Sequence, residues 1–215
     1  MRTNSEIRQE SLAFMKGNWK PAVLVTLVYL LVIFAGSFVA TLVGELIGKP
    51  MGESVGDLLG LLVTILLLYP MTFSLIRLFL GFVRGEQEIH AGGLFGTFKS
   101  PDYGQSIGLY ILISIYTFLW TLLLIVPGVI KSLSYALAPY ILADNPELTA
   151  EESILRSIEM MQGHKMQFFL IVLGYTGLTI LSLLALGIPL LWLQPYYQTV
   201  FAKFYEEVKA TAAMN

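Results

Sequence analysis

The chain has 215 residues, of which 56% are hydrophobic and only 13% are charged. A soluble domain of this length normally carries about 25% charged residues, because its surface must face water. The formal net charge of −2 argues against nucleic acid as a partner, since phosphate binding needs a basic surface. The chain has no cysteine, which excludes disulfides and thiolate chemistry. We therefore expect an integral membrane protein.

The first twenty residues form a mixed polar stretch rather than the apolar core of a secretory signal peptide. Thr3 and Glu6 have the spacing of a capping box, in which two side chains satisfy free amides at a helix start. Gly17 stands just before the first apolar run, where a helix can end and the chain can turn. This stretch predicts an amphipathic helix along the membrane interface, with packing on the bundle as the alternative.

Six apolar stretches have about the length needed to cross a hydrocarbon core of about 30 Å as helices. They cover residues 21–43, 58–83, 107–126, 129–143, 167–186 and 188–205. The fourth stretch is short, and the sixth contains Gln194. The fold class predicted from this pattern is an all-α transmembrane bundle with about six spans.

The connections between these spans differ in length and polarity. Turns at Pro127-Gly128 and at 187–189 join the third span to the fourth and the fifth to the sixth. A glycine-rich polar loop, 44–57, joins the first two spans, and longer polar connections, 84–106 and 144–166, lie on the opposite side. The spans are therefore expected to form three helical hairpins.

The N-terminal stretch also matches a later part of the chain. A shift of 146 positions gives eight identities. The pairs are Thr3/Thr149, Glu6/Glu152, Ser11/Ser157, Met15/Met161, Gly17/Gly163, Leu24/Leu170, Leu27/Leu173 and Tyr29/Tyr175. The repeated unit would be an amphipathic helix, a glycine break and a hairpin, over 1–83, 84–148 and 149–215, with a degraded middle copy. Chance self-similarity of apolar sequence is the alternative.

The second span of each hairpin contains a proline. Pro70, Pro139 and Pro195 are each expected to interrupt or bend the helix that holds them, because proline has no amide hydrogen to donate. Such a bend could line a cavity, but a structural kink closed by neighbouring packing is the favoured interpretation.

Lys and Arg residues are distributed unevenly between the two sides. Eleven lie on the side of the termini, and two, Lys49 and Lys131, lie on the other. Because basic residues favour the cytoplasmic side, both termini and the longer connections, with their amphipathic helices, are predicted to be cytoplasmic.

Several motifs are similar to one family of bacterial membrane proteins. They are IVPGVI at 125–130, YALAPYILAD at 135–144, SIEMMQGHK at 157–165, GIPLLWLQPY at 187–196, and Phe204-Tyr205. The chain resembles the family catalogued as domain of unknown function 975 over nearly its whole length. It departs from the family at 175–178, where Tyr-Thr-Gly-Leu replaces an aromatic-Ile-Gly-Trp stretch. The resemblance implies a polytopic protein of the bacterial plasma membrane, and it implies no reaction or substrate.

Two charged residues and two tyrosines are the candidates for lipid or ligand contact. Arg77 and Lys131 lie inside predicted spans, where an ionisable residue by default suggests function. Both are near a span end, however, so snorkelling to the headgroups is the favoured interpretation. Tyr140 and Tyr196 stand beside two of the prolines and would form a shared polar patch or serve as packing residues.

The sequence contains no recognisable catalytic, metal or cofactor motif. His90 and His164 lie in separate connections, and Glu88 with His90 would supply only two of the three or four ligands that a metal needs. We therefore expect a non-enzymatic protein without cofactor that contacts membrane lipids, a membrane-protein partner or another copy of itself. The alternative is a small transporter or channel component with a site between the proline-kinked spans.

Overall fold

The computed structural model describes residues 2–48 and 53–213, and within them every regular element is a helix. We number the α-helices α1 to α10. They are α1 Asn4–Met15, α2 Trp19–Val43, α3 Glu53–Val63, α4 Tyr69–Arg84, α5 Tyr103–Leu123, α6 Ile125–Tyr135, α7 Ala138–Asp144, α8 Ala150–Met160, α9 Lys165–Leu184 and α10 Leu190–Ala212. Two 3-10 turns, Ala91–Phe95 and Thr97–Lys99, lie between α4 and α5. The predicted all-α class is confirmed.

Five helical stretches within the described residues are long and apolar enough to cross a membrane. They are Trp19–Leu46, Gly56–Arg84, Tyr103–Leu123, Ile125–Asp144 and Lys165–Leu184. The sixth predicted stretch forms α10, which is long enough but too polar to be counted with them. Eight residues of α10 are buried against other helices, and a helix surrounded by protein has less need of an apolar surface. Lys49, predicted on the outer side, lies outside the described residues.

Two of the three prolines interrupt their helices as predicted. A π-helical turn, Thr64–Leu68, precedes Pro70, and the helix breaks between α6 and α7 just before Pro139. Pro195 lies inside α10 without a break, so that interruption is absent. The turn between the third and fourth spans falls at Leu124, which is extended, rather than at Pro127-Gly128. Those two residues belong to the first turn of α6, where proline needs no donor.

Both predicted capping boxes are present. The Glu6 carboxylate accepts from the Thr3 amide at 2.7 Å, and the Glu152 carboxylate accepts from the Thr149 amide at 2.7 Å. These backbone hydrogen bonds, with help from the threonine hydroxyls, lower the pKa of both glutamates below its usual value. Gly17 and the equivalent glycine at 163 have φ of +89° and +78°, a left-handed conformation that favours glycine after each helix.

The apolar faces of α1 and α8 pack on the bundle, which is the alternative to lying along the interface. Ile7 and Met15 of α1 are 1% and 0% exposed, and the Thr199 hydroxyl of α10 lies 3.4 Å from the Met15 sulfur. In α8, the Ser157 hydroxyl donates to the Ser134 carbonyl at 2.7 Å. Buried serines on these faces allow close approach to the neighbouring helix.

The segment before each hairpin packs on the second helix of another hairpin. Helix α1 packs on α10, the 3-10 turns pack on α4, and α8 packs on α7 and also on α5 and α6. Helices α4, α7 and α10 thereby meet in one core, where Tyr140 stacks on Tyr205 at 5.5 Å. The division into three repeats stays a prediction, but these contacts bring the ends of α4, α7 and α10 together.

Candidate functional site

An ion-pair network joins the C-terminal parts of α4, α7 and α10. Arg84 donates from Nη1 to the Asp144 carboxylate at 2.6 Å, and from Nε and Nη2 to Glu206 at 2.9 and 2.6 Å. The second Asp144 oxygen accepts from Lys209 and, at 2.9 Å, from the Tyr205 hydroxyl. We call this the charged end of the bundle. Since Arg84 and Asp144 are only 20% and 9% exposed, the network ties three hairpins together where water is scarce.

The sequence did not single out these residues. In the sequence, Arg84 and Asp144 only begin the two longer polar connections, and Glu206 only follows the sixth apolar stretch. The three residues share one feature in the sequence: each lies at or near the end of the second helix of its hairpin. That feature has meaning only after the three second helices are known to meet.

A cavity of about 760 Å³ opens beside the charged end. It lies between the second half of α4, the connection to α5 and the end of α7, and we call it the α4 cavity. Its polar lining is Ser74, Arg77, Arg84, Glu86, Gln87, His90, Thr97, Lys99, Ser100 and Asp144. Three glycines, Gly92, Gly93 and Gly96, complete the wall that the connection forms.

Hydrogen bonds hold the connection against α4 and so shape the cavity. Ser74 donates to the Thr97 hydroxyl at 2.6 Å, and the Thr97 amide donates back to Ser74 at 3.1 Å. Gln87 donates to the carbonyls of Arg77 and Leu78 at 3.2 and 3.1 Å. The wall is therefore fixed rather than a loose loop, although the sequence pattern indicated only a polar connection.

Two cationic side chains of the cavity keep donors available. Arg77 donates from Nη1 to Asp102 at 2.6 Å, yet its side chain remains 45% exposed. Lys99 is exposed and has no ion-pair partner in the part of the chain that the structure describes. The His90 ring also lines the cavity and donates from Nδ1 to the Glu88 carbonyl at 3.0 Å. This set suits an anion with several oxygens, such as a phosphate.

The four candidate residues from the sequence do not form one site. Only Arg77 lines the α4 cavity. Lys131 stands 4.7 Å from the ring centre of Trp120 in a cation–π contact. Tyr140 is buried in the core, and Tyr196 lies edge-on to Tyr197 at 5.0 Å. Both tyrosines make packing contacts, and their part in a ligand site stays a prediction.

Side chains fill the space between the helices that contain the three prolines. Ile76 and Leu80 of α4 belong to the same buried cluster as Tyr140, Tyr197 and Tyr205. A site between kinked helices, which the transporter alternative requires, would have to displace these side chains. Among residues 2–48 and 53–213, no three potential metal ligands lie close enough together to hold one ion.

The all-helical bundle, with five helices suited to crossing a membrane and a network of charges at one end, defines a polytopic helical membrane protein. A family model described as protein of unknown function (DUF975) matches residues 1–135 and 122–212. The chain therefore belongs to the DUF975 family, and the resemblance noted from its motifs is confirmed. No curated protein and no solved structure matches the chain.

Proposed function

We propose that the protein is non-enzymatic and acts through contact with membrane lipids, by binding a phosphate-bearing headgroup in the α4 cavity. The observation that carries this proposal is the pair of cations in the cavity, Arg77 and Lys99, which keep donors exposed there. Guanidinium and ammonium groups are the usual partners of phosphate oxygens in proteins. The shared chemistry is a phosphate ester, presented by a lipid or by a soluble metabolite.

The partners of two poorly exposed carboxylates support the non-enzymatic part of the proposal. Asp144 is held by Arg84, Lys209 and Tyr205. Asp102 accepts from Arg77 and, at 2.8 Å, from the Ser100 hydroxyl. A catalytic base must be free to take a proton. These two carboxylates are instead fixed as structural anions.

The packed core favours lipid contact over the transporter alternative. A transporter needs a polar path, and aromatic side chains occupy the space between α4, α7 and α10. The α4 cavity instead opens at the charged end, where headgroups would lie if this end faces the cytoplasm. A membrane-protein partner or a second copy would use the same end of the bundle.

The orientation belongs to this proposal. We place the protein in the bacterial plasma membrane with both termini cytoplasmic, because basic residues cluster on the charged end. Alkaline phosphatase is active only outside the cytoplasm, so fusions at Gly52 and Gly187 should be active. Fusions at Gly96 and Asn145 should be inactive. The reverse pattern at two or more sites would contradict this topology and the inner-leaflet headgroup site with it.

The headgroup site is tested by removing its cations. Arg77→Gln with Lys99→Gln should weaken binding of phosphatidylglycerol to the detergent-purified protein about tenfold, the effect of about 1.4 kcal/mol of lost charge-assisted bonding. Lys99→Gln alone should weaken it several-fold, because Lys99 has no structural partner within the described residues. Native mass spectrometry would measure the retained lipid.

The matched control is Lys16→Gln with Arg156→Gln, which removes the same charge from two exposed positions outside the cavity. Its binding should equal that of the wild type. Glycerol 1-phosphate, tested in parallel, separates a soluble ligand from a lipid. Unchanged lipid and glycerol phosphate affinity in the cavity variant would refute the site. Phosphoester turnover by the wild type that this variant abolishes would refute the non-enzymatic assignment.

A further inference from the structure

Arg8 of α1 contacts the first turns of α9 through its guanidinium group. Its Nη2 donates to the Leu170 carbonyl of α9 at 3.4 Å. One helical turn earlier, Asn4 donates to the Gln167 carbonyl at 3.0 Å. This face of α1 therefore lies along the first turns of α9. In the sequence, Arg8 is only one of the eleven basic residues on the side of the termini.

A glycine makes room for the guanidinium. A Cβ at Gly174 of α9 would stand 2.5 Å from Arg8 Nη2 and 3.3 Å from the Tyr197 hydroxyl. No real side chain tolerates the first distance without displacing the arginine. Gly177, one turn further along the same helix, has no atom within 4 Å of its position. The close approach is therefore specific to Gly174.

The charge on Arg8 has no protein counter-ion among the residues that the structure describes. Arg2, just before the same helix, is paired with Glu10 and Glu207, whereas Arg8 has no carboxylate within ion-pair distance. The Arg8 Nε is also buried without an acceptor. A guanidinium that is partly withdrawn from water and lacks a partner anion is unfavourable, so an anion from outside the protein would stabilise it.

Apolar side chains are exposed on both helices of the seam between α1 and α9. Leu12, Leu170 and Leu173 expose 46%, 49% and 54% of their surface around it. Leu170 lies within the first two turns of α9, so a phosphate at headgroup level is within reach of an arginine side chain. An acyl chain would cover the leucines, and the phosphate would meet the guanidinium of the half-buried Arg8.

We infer that Arg8 binds the phosphate of a phospholipid whose acyl chain lies along the α1–α9 seam. This site shares no residue with the α4 cavity, so it can be tested independently of the proposed function. Charge complementarity selects the occupant, since the exposed leucines suit any apolar chain but the unpaired guanidinium needs an anion. Gly174 is a positioning residue that lets the arginine lie close to α9.

The test uses the full chain in mild detergent, with phosphatidylglycerol and with diacylglycerol of the same acyl chains. Arg8→Gln and Gly174→Ala should each weaken phosphatidylglycerol retention at least fivefold in native mass spectrometry. Diacylglycerol retention should change less than twofold. Arg8→Lys should recover part of the binding. The matched controls are Arg156→Gln, an exposed arginine on α8, and Gly177→Ala.

The outcomes separate this site from the α4 cavity. Loss of one bound lipid in Arg8→Gln, and of a different one in Arg77→Gln with Lys99→Gln, supports both sites. Retention of phosphatidylglycerol by Arg8→Gln at the wild-type level overturns the inference. An equal loss of both lipids also overturns it, because the variant would then disturb the seam rather than the phosphate contact. If Gly174→Ala unfolds, Arg8→Gln and Arg8→Lys decide the result.

Discussion

Asp144→Asn is expected to lower the free energy of unfolding by about 3 kcal/mol, the lower end of what removing one partner of a buried ion pair costs. The substitution keeps the size of the side chain but removes the anion that Arg84 and Lys209 share. Arg84 would retain only Glu206, and its 20% exposure gives water little access to compensate. Since the network joins α4, α7 and α10, the loss should affect the whole bundle.

The matched control for this prediction is Glu147→Gln. Glu147 lies three residues beyond Asp144, is exposed, and has no partner among the described residues. Unfolding of both variants by denaturant in mixed micelles would give the two free energies. A control within about 0.5 kcal/mol of the wild type is expected for such a surface position. Equal stability of Asp144→Asn and Glu147→Gln would show that the charged end does not hold the hairpins together.

Gly128→Ala is expected to destabilise the second hairpin by about 2 kcal/mol. A Cβ at Gly128 of α6 would stand 2.8 Å from the Thr121 Cα and would also overlap its hydroxyl. Because the Cα belongs to the backbone of α5, the two helices would have to separate, and overpacking of this kind typically costs 1–3 kcal/mol. The measurement is again the free energy of unfolding in mixed micelles.

Two further variants serve as a control and as a partial rescue for Gly128→Ala. Gly108 lies in α5 of the same hairpin, and a Cβ added there would meet no atom within 4 Å. Gly108→Ala should therefore be neutral or should stabilise the protein by up to about 1 kcal/mol. Adding Thr121→Ala to Gly128→Ala should restore only part of the stability, since it removes the hydroxyl but leaves the Cα in place. Full tolerance of Gly128→Ala would mean that the α5–α6 contact is looser than described.

The sequence predicted the features that depend on local chemistry. Both capping boxes formed because Thr3 and Glu6, and Thr149 and Glu152, are three residues apart and need no distant partner. Five of the spans agree with hydropathy because a helix satisfies its own backbone hydrogen bonds, so length and composition nearly suffice. Pro195 shows the limit of local reasoning, since α10 continues through it without a break.

Tertiary structure decided which residues make up the sites. Arg84, Asp144 and Glu206 stand about sixty positions apart from one to the next and meet only because three second helices converge. Arg77 was a candidate from its place in a span, but the cavity around it depends on how the connection folds back on α4.

The sequence alone therefore determined that the chain is helical and placed most helix ends to within about five residues, although α10 runs seven residues past its predicted end. It did so because hydropathy, capping and charge are properties of short stretches. Only the tertiary structure decided that the faces of α1 and α8 pack on protein, that α10 is largely surrounded by other helices, and that Arg8 remains without a carboxylate among the described residues. Each of these depends on which helices become neighbours, and contacts between distant parts of the chain leave no periodic pattern in the sequence.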